Sequence, residues 1–175
     1  MKVTQQLSLI LLCLISFNST AQQRCNDQIT QTAPNSRFTN NGDGTVTDMQ
    51  TGLMWARCLQ GFQGVACTSP SSPNTNTFAW AAALALDSAT SDTDNRTDWR
   101  LPNIKELQSL VERSCDTPAI NDSVFPNTNS ANCWSASPDA GSTDNAWFVS
   151  FGNGDAFQNR LRTFSFQVRL VRGGQ

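Results

Sequence analysis

Histidine and tyrosine are absent from the 175 residues, and glutamate and lysine occur only as Glu106, Glu112, Lys2 and Lys105. Without histidine there is no Ser-His or Cys-His catalysis and no zinc site with imidazole ligands. Acid–base work would fall to aspartate, yet no recognisable pair of carboxylates is placed as a glycosidase needs them. The chain is therefore expected not to be an enzyme, and it has no cofactor motif. Basic charge is not in excess either: 12 Lys+Arg face 14 Asp+Glu. Nucleic-acid binding needs a clear basic surplus to exchange for phosphate counterions, so no nucleic-acid partner is expected. Beyond the first residues, no apolar run approaches the roughly 20 residues of a membrane-spanning helix.

What is present begins with an export signal. Lys2 supplies a basic start, Leu7 to Phe17 an apolar run, and Ser19-Thr20-Ala21 the small residues of a cleavage site. Residues 1–21 are thus expected to be a cleavable signal peptide. Neither Leu11-Leu12 before Cys13 nor Gln22-Gln23-Arg24 before Cys25 resembles a lipid-attachment site, and no lipid anchor is expected. Residues 22–36 read as a polar N-terminal segment and 37–175 as one domain, exported to the periplasm or beyond.

Cys13 departs with the peptide and leaves Cys25, Cys58, Cys67, Cys115 and Cys133. With no paired C-x-x-C knuckles, these read as a disulfide framework of an oxidising compartment. Cys58 and Cys67 bracket a short Gly-containing loop and are expected to pair, contributing about 2–3 kcal/mol. For the rest, proximity favours Cys115–Cys133, whereas a clamp on the N-terminus would be Cys25–Cys115. Either choice leaves one thiol, buried and free or joining two chains as a dimer.

Along the chain, Arg37-Phe38-Thr39 and Thr45-Val46-Thr47-Asp48 flank an Asn/Gly/Asp cluster and predict a hairpin. Leu53-Met54-Trp55 is a short strand, and residues 68–77 form a Ser/Pro/Asn-rich loop. A helix is predicted over Phe78–Ala89 with Trp80, Leu84 and Ala83 at core spacing, and a second over Ile104–Arg113. Asn103 and Glu106 can form a capping box, ahead of a stripe of Ile104, Leu107, Leu110 and Val111. Later segments read as strands: Cys133–Ser137, Trp147–Phe151 and Val168–Arg172. Two helices among short antiparallel strands make an α+β domain. Trp55, Trp80, Trp99, Trp134 and Trp147 are read as core.

Several ordered segments carry a resemblance. They are Arg37-Phe38-Thr39 with Gly42-Asp43-Gly44-Thr45-Val46-Thr47-Asp48, Thr51-Gly52-Leu53-Met54-Trp55 and Asp98-Trp99-Arg100-Leu101-Pro102-Asn103 with Lys105-Glu106-Leu107. Pro118-Ala119-Ile120-Asn121, Phe125-Pro126, Trp134-Ser135, Ala146-Trp147 and Val168-Arg169-Leu170-Val171-Arg172 follow. Together they resemble the Lcl C-terminal domain family, named for the C-terminal domain of bacterial collagen-like adhesins. The resemblance implies a C-type-lectin-like fold of the variant seen in formylglycine-generating enzymes, and a role in attachment, in the adhesins through sulfated glycans. It supplies no catalytic residue. It also implies Cys25–Cys115 beside Cys58–Cys67, with Cys133 left over. Some relatives are diversified by retroelements on their C-terminal half. A structural or envelope-associated role is the other alternative.

The candidate ligand face follows from alternation in the strand at 147–151. If Trp147, Val149 and Phe151 point inward, Phe148 and Ser150 point outward. Asp155, Phe157, Asn159, Arg160 and Arg162 would join them around the turn. Exposed Phe beside Arg, Asp and Asn suits an adaptable binding surface for an extracellular or cell-surface ligand, such as a glycan. The arginines at 160, 162, 169 and 172 otherwise read as solvated strand flanks. Asp92, Asp94 and Asp98, with Asn95, offer hard oxygen ligands in one loop, a calcium set that reads more simply as a solvated polar loop. No metal is expected.

Overall fold

The computed structural model describes residues 22–70 and 76–173. The expected signal peptide and the middle of the 68–77 loop lie outside the described residues.

Short strands dominate. In chain order they begin with β1 (Arg24–Cys25), β2 (Phe38–Asn40), β3 (Thr45–Asp48), β4 (Met54–Ala56), β5 (Phe62–Gln63) and β6 (Ser69–Pro70). Helices α1 (Trp80–Leu84) and α2 (Ile104–Gln108) come next. The chain closes with β7 (Cys115–Asp116), β8 (Asn132–Pro138), β9 (Asn145–Ser150), β10 (Asp155–Leu161) and β11 (Val171–Arg172). All pairings between these strands are antiparallel. The larger sheets have the orders β11-β4-β3-β2 and β10-β9-β8; β1-β7 and β5-β6 are two-stranded. The hairpin predicted at 37–48 is β2–β3, with Thr39 opposite Thr47.

Both helices are shorter than their apolar patterns suggest. Phe78 exchanges two backbone hydrogen bonds with Phe166, so its amide and carbonyl cannot enter a helix. Further on, Asp87 gives its carbonyl to the Trp99 amide. What remains of α1 is little more than one turn. A helix that short buries one narrow face: Ala83 is fully buried, while Leu84, expected in the core, is 43 % exposed. In α2 the capping box forms as predicted. Asn103 accepts from the Lys105 and Glu106 amides, and the Glu106 carboxylate accepts from the Asn103 amide. Leu107, Leu110 and Val111 are buried, although the last two lie beyond the helix, where Val111 bridges to Ile120.

The core is divided between two clusters. One packs Val46, Trp55, Leu107, Leu110, Ile120, Phe125, Val149 and Phe151 together; the other joins Ala83, Trp99, Leu101, Trp134, Ala146, Phe148 and Leu170. Strand β9 contributes to both, so both of its faces are covered. This overturns the expected outward direction of Phe148, which is only 3 % exposed. Trp55, Trp99 and Trp134 are buried as read, whereas Trp80 and Trp147 are half-buried.

The C-terminal arginines are not all solvated. Arg169 is fully buried, stacks on Phe125 at 4.8 Å, and donates to the Ala56 and Arg57 carbonyls and the Thr128 hydroxyl. Burial pulls its pKa down to about 10, so it remains a cation at neutral pH. Arg172, 8 % exposed, pairs with Asp98. Strict alternation fails here because the segment 168–172 is buried on every side.

Two disulfides form, Cys25–Cys115 and Cys58–Cys67. That settles the alternatives against Cys115–Cys133. Cys133 is free and fully buried. The disulfide-linked dimer loses its thiol: both bridges lie within one chain, and the remaining sulfur is out of a partner's reach.

Candidate arginine and aromatic face

The face lies on the β8-β9-β10 sheet. Trp134, Phe148 and Phe157 are cross-strand neighbours, because β8 and β9 pair at Trp134–Phe148 and β9 and β10 at Phe148–Phe157. Directly opposed side chains share a sheet face. Three aromatics therefore line up across the strands. Phe148 stacks on Phe157 at 5.4 Å and meets Trp134 edge-on at 6.1 Å. Phe166 closes over Trp134 and Phe148, at 4.5 and 4.9 Å, so the inner two rings are sealed and Phe157 stays 38 % exposed.

A register shift in β10 between Phe157 and Arg160 inserts an extra residue. Such a bulge re-aims the side chains that follow it. Arg160 comes to lie with its guanidinium 5.8 Å from the Phe148 ring and 5.3 Å from Phe164. Arg162 sits 4.2 Å from the Trp80 ring, and its Nε donates to the Asn145 carbonyl. Among the described residues neither guanidinium has a carboxylate partner, unlike Arg24, Arg37, Arg96, Arg100 and Arg172. The Arg160 Nε is buried without any hydrogen-bond partner. These ring contacts position both cations, and their terminal nitrogens have no acceptor among the described residues.

Of the residues expected here, Phe148 forms the floor of the candidate face, and Phe157, Arg160 and Arg162 lie over it or beside it. Asn159 is exposed on the same strand. Ser150 is half-buried and Asp155 exposed, opposite each other at the β9–β10 turn; Asp155 is hydrogen-bonded by Asn153 and not by either arginine. Sequence reasoning missed Trp80, which it assigned to the core. Phe164, 46 % exposed, also belongs to this surface. The contact of α1 with the 162 segment, which makes Trp80 a platform, has no local sequence signal.

The calcium set is divided by the fold. Asp98 goes to Arg172, and Asp43 takes its place beside Asp92 and Asp94, with carboxylate oxygens within 4.8 Å of one another. Arg96 stands among these three and bonds to each. Asp92, 5 % exposed, also accepts from the Trp99 indole. Burial alone would raise the Asp43 pKa, but hydrogen bonds from Thr45 and Arg96 outweigh it and leave it lowered. The cation serving this cluster is the protein's own guanidinium.

Among known families, the model of the Lcl C-terminal domain matches residues 44–172. No curated protein and no solved structure matches the chain.

Proposed function

Because the chain belongs to the Lcl C-terminal domain family, we propose that it is a non-catalytic, exported recognition or adhesion module. Its two helices and small antiparallel sheets are read as a variant of the C-type-lectin-like fold. The ligand we propose is an acidic surface glycan, sulfated or carboxylated, held on the face of β10. One observation carries the reading: Arg160 and Arg162 lie against aromatic rings and have no carboxylate partner among the described residues. A guanidinium held in this way offers paired N–H donors to a sulfate or carboxylate. Phe157 and Phe164 supply flanking surface for a sugar ring. Two intramolecular disulfides fit an oxidising compartment.

A glycan array including sulfated and uronic-acid glycans tests this. Binding should weaken as salt rises, and Arg160→Ala with Arg162→Ala should lower affinity at least about tenfold. An array without hits, or hits unaffected by both substitutions, would reject it.

A further inference from the structure

A cleft of about 610 Å³ lies between the N-terminal segment, the Cys58–Cys67 loop and the 117–129 loop. Its walls include Gln22, Thr68, Asp122 and Asn129, with Ala66 and Pro118 the small apolar surfaces between them. Among the described residues no Arg, Lys or aromatic side chain lines it. We propose that this cleft is a second binding site, for a neutral sugar or similar polyol, independent of the arginine face.

Backbone strain is concentrated here. Among the described residues five non-glycine positions have positive φ, and four border this cleft: Cys67 (53°), Thr117 (51°), Asn127 (56°) and Asn129 (50°). Asparagine tolerates this conformation, but a β-branched threonine adopts it only when its surroundings force it. Those surroundings are tightly fastened. Asn127 donates to the Cys67 carbonyl, and Gln23 donates to the carbonyls of Pro118 and Ile120. Each disulfide anchors one wall, through Cys67 and through Cys25 beside Gln23. A wall pre-set in this way loses little freedom when a ligand arrives.

Its polar groups are only partly used. Asn129 spends one amide proton on Asn127 and keeps its carbonyl and second proton. The side chains of Gln22, Thr68 and Asp122 have no hydrogen-bond partner among the described residues. Amides and hydroxyls that both donate and accept, beside one carboxylate, match adjacent hydroxyls, each of which is itself donor and acceptor. The ammonium that processing would create at Gln22 and the Asp122 carboxylate cancel, so the cleft has no net positive charge to hold an acidic ligand. Without a substantial apolar wall it does not suit a hydrophobic one.

The test is an amide-resolved NMR titration of the processed chain with methyl glycosides of glucose, galactose, mannose and N-acetylglucosamine. At least one should give saturable shifts around residues 66–68 and 118–129, with Kd on the order of millimolar for so open a site. Asp122→Ala and Asn129→Ala, both at exposed positions, should weaken that binding at least tenfold with Tm unchanged. Arg160→Ala and Arg162→Ala should leave it intact, which separates this site from the acidic-glycan face. No saturation by about 100 mM of any of the four, shifts centred on β10, or binding that survives both cleft substitutions overturns the proposal.

Discussion

Gly44 is the point of closest approach between the β2–β3 hairpin and the loop that carries the aspartates. A Cβ placed there would lie 1.5 Å from the Ser91 carbonyl oxygen, and its φ of +82° is strained for any other residue. The Gly44 carbonyl also accepts from the Arg57 amide and the Ser91 hydroxyl. Gly44→Ala should therefore cost about 3 kcal/mol or more in urea unfolding; a loss below about 0.5 kcal/mol would contradict the packing described. Arg169 is the counterpart in the core, a cation held by two carbonyls, a hydroxyl and a ring. Arg169→Met keeps the apolar contact but strands those acceptors, and should destabilise by roughly 2–5 kcal/mol. The sequence concealed this residue, because an arginine between Val168 and Leu170 looks like the solvated side of a strand. Its burial depends on carbonyls from Ala56 and Arg57, more than a hundred residues away in the chain.

At the level of elements, one carboxylate fastens the 32–33 part of the polar N-terminal segment, beyond the reach of the Cys25–Cys115 bridge. Glu112, 3 % exposed, accepts from the amides of Thr32, Ala33 and Ser114 and from the Ser114 hydroxyl. Burial by itself would raise its pKa, but these four donors outweigh it and leave it lowered. Glu112→Gln offers a single acceptor oxygen and turns an NH₂ toward donors. It should loosen the 32–33 contact, seen as faster amide exchange there, and cost about 2–3 kcal/mol. Capping and turn chemistry were legible where they are local: the α2 box and the β2–β3 hairpin lie where residue types place them. Helix length was not. Nothing near Phe78 announces that its backbone will be taken by Phe166, and the same long-range pairing brings Trp80 to Arg162. Likewise the face of β10 was legible as a set of residue types, but the direction of Phe148 was not, since a strand covered on both sides shows no alternation.

For the whole molecule, acid should be the destabilising direction. Glu112 and Asp48 both have lowered pKa values; for Asp48, burial raises it but hydrogen bonds from Arg37, Thr51 and Gln50 more than offset that. A carboxylate with a depressed folded pKa stabilises above its unfolded value, near 4, and loses that contribution as pH falls through the folded value. Urea midpoints should be flat from about pH 7 to 5 and fall below about 4, less steeply in Glu112→Gln. The two disulfides differ in reach, with separations of 90 and 9 residues. Removing Cys25–Cys115 should cost about 4–5 kcal/mol against about 2–3 for Cys58–Cys67, by thermal or urea unfolding.

The sealed thiol of Cys133 sets a hazard that exists only before the chain has folded. Burial lifts its pKa to about 12, which makes it inert in the native state. In the nascent chain it is an ordinary thiol, separated from Cys115 by about a fifth of the 90 residues between Cys115 and its native partner. On chain entropy alone the wrong bridge closes about ten times more readily. Oxidative refolding should therefore pass through a trapped Cys115–Cys133 isomer that must be reshuffled, and Cys133→Ala should refold faster and in higher yield. Folding under oxidising conditions commits this chain to a proofreading step, and a secretion host lacking disulfide isomerase should accumulate the misbridged form.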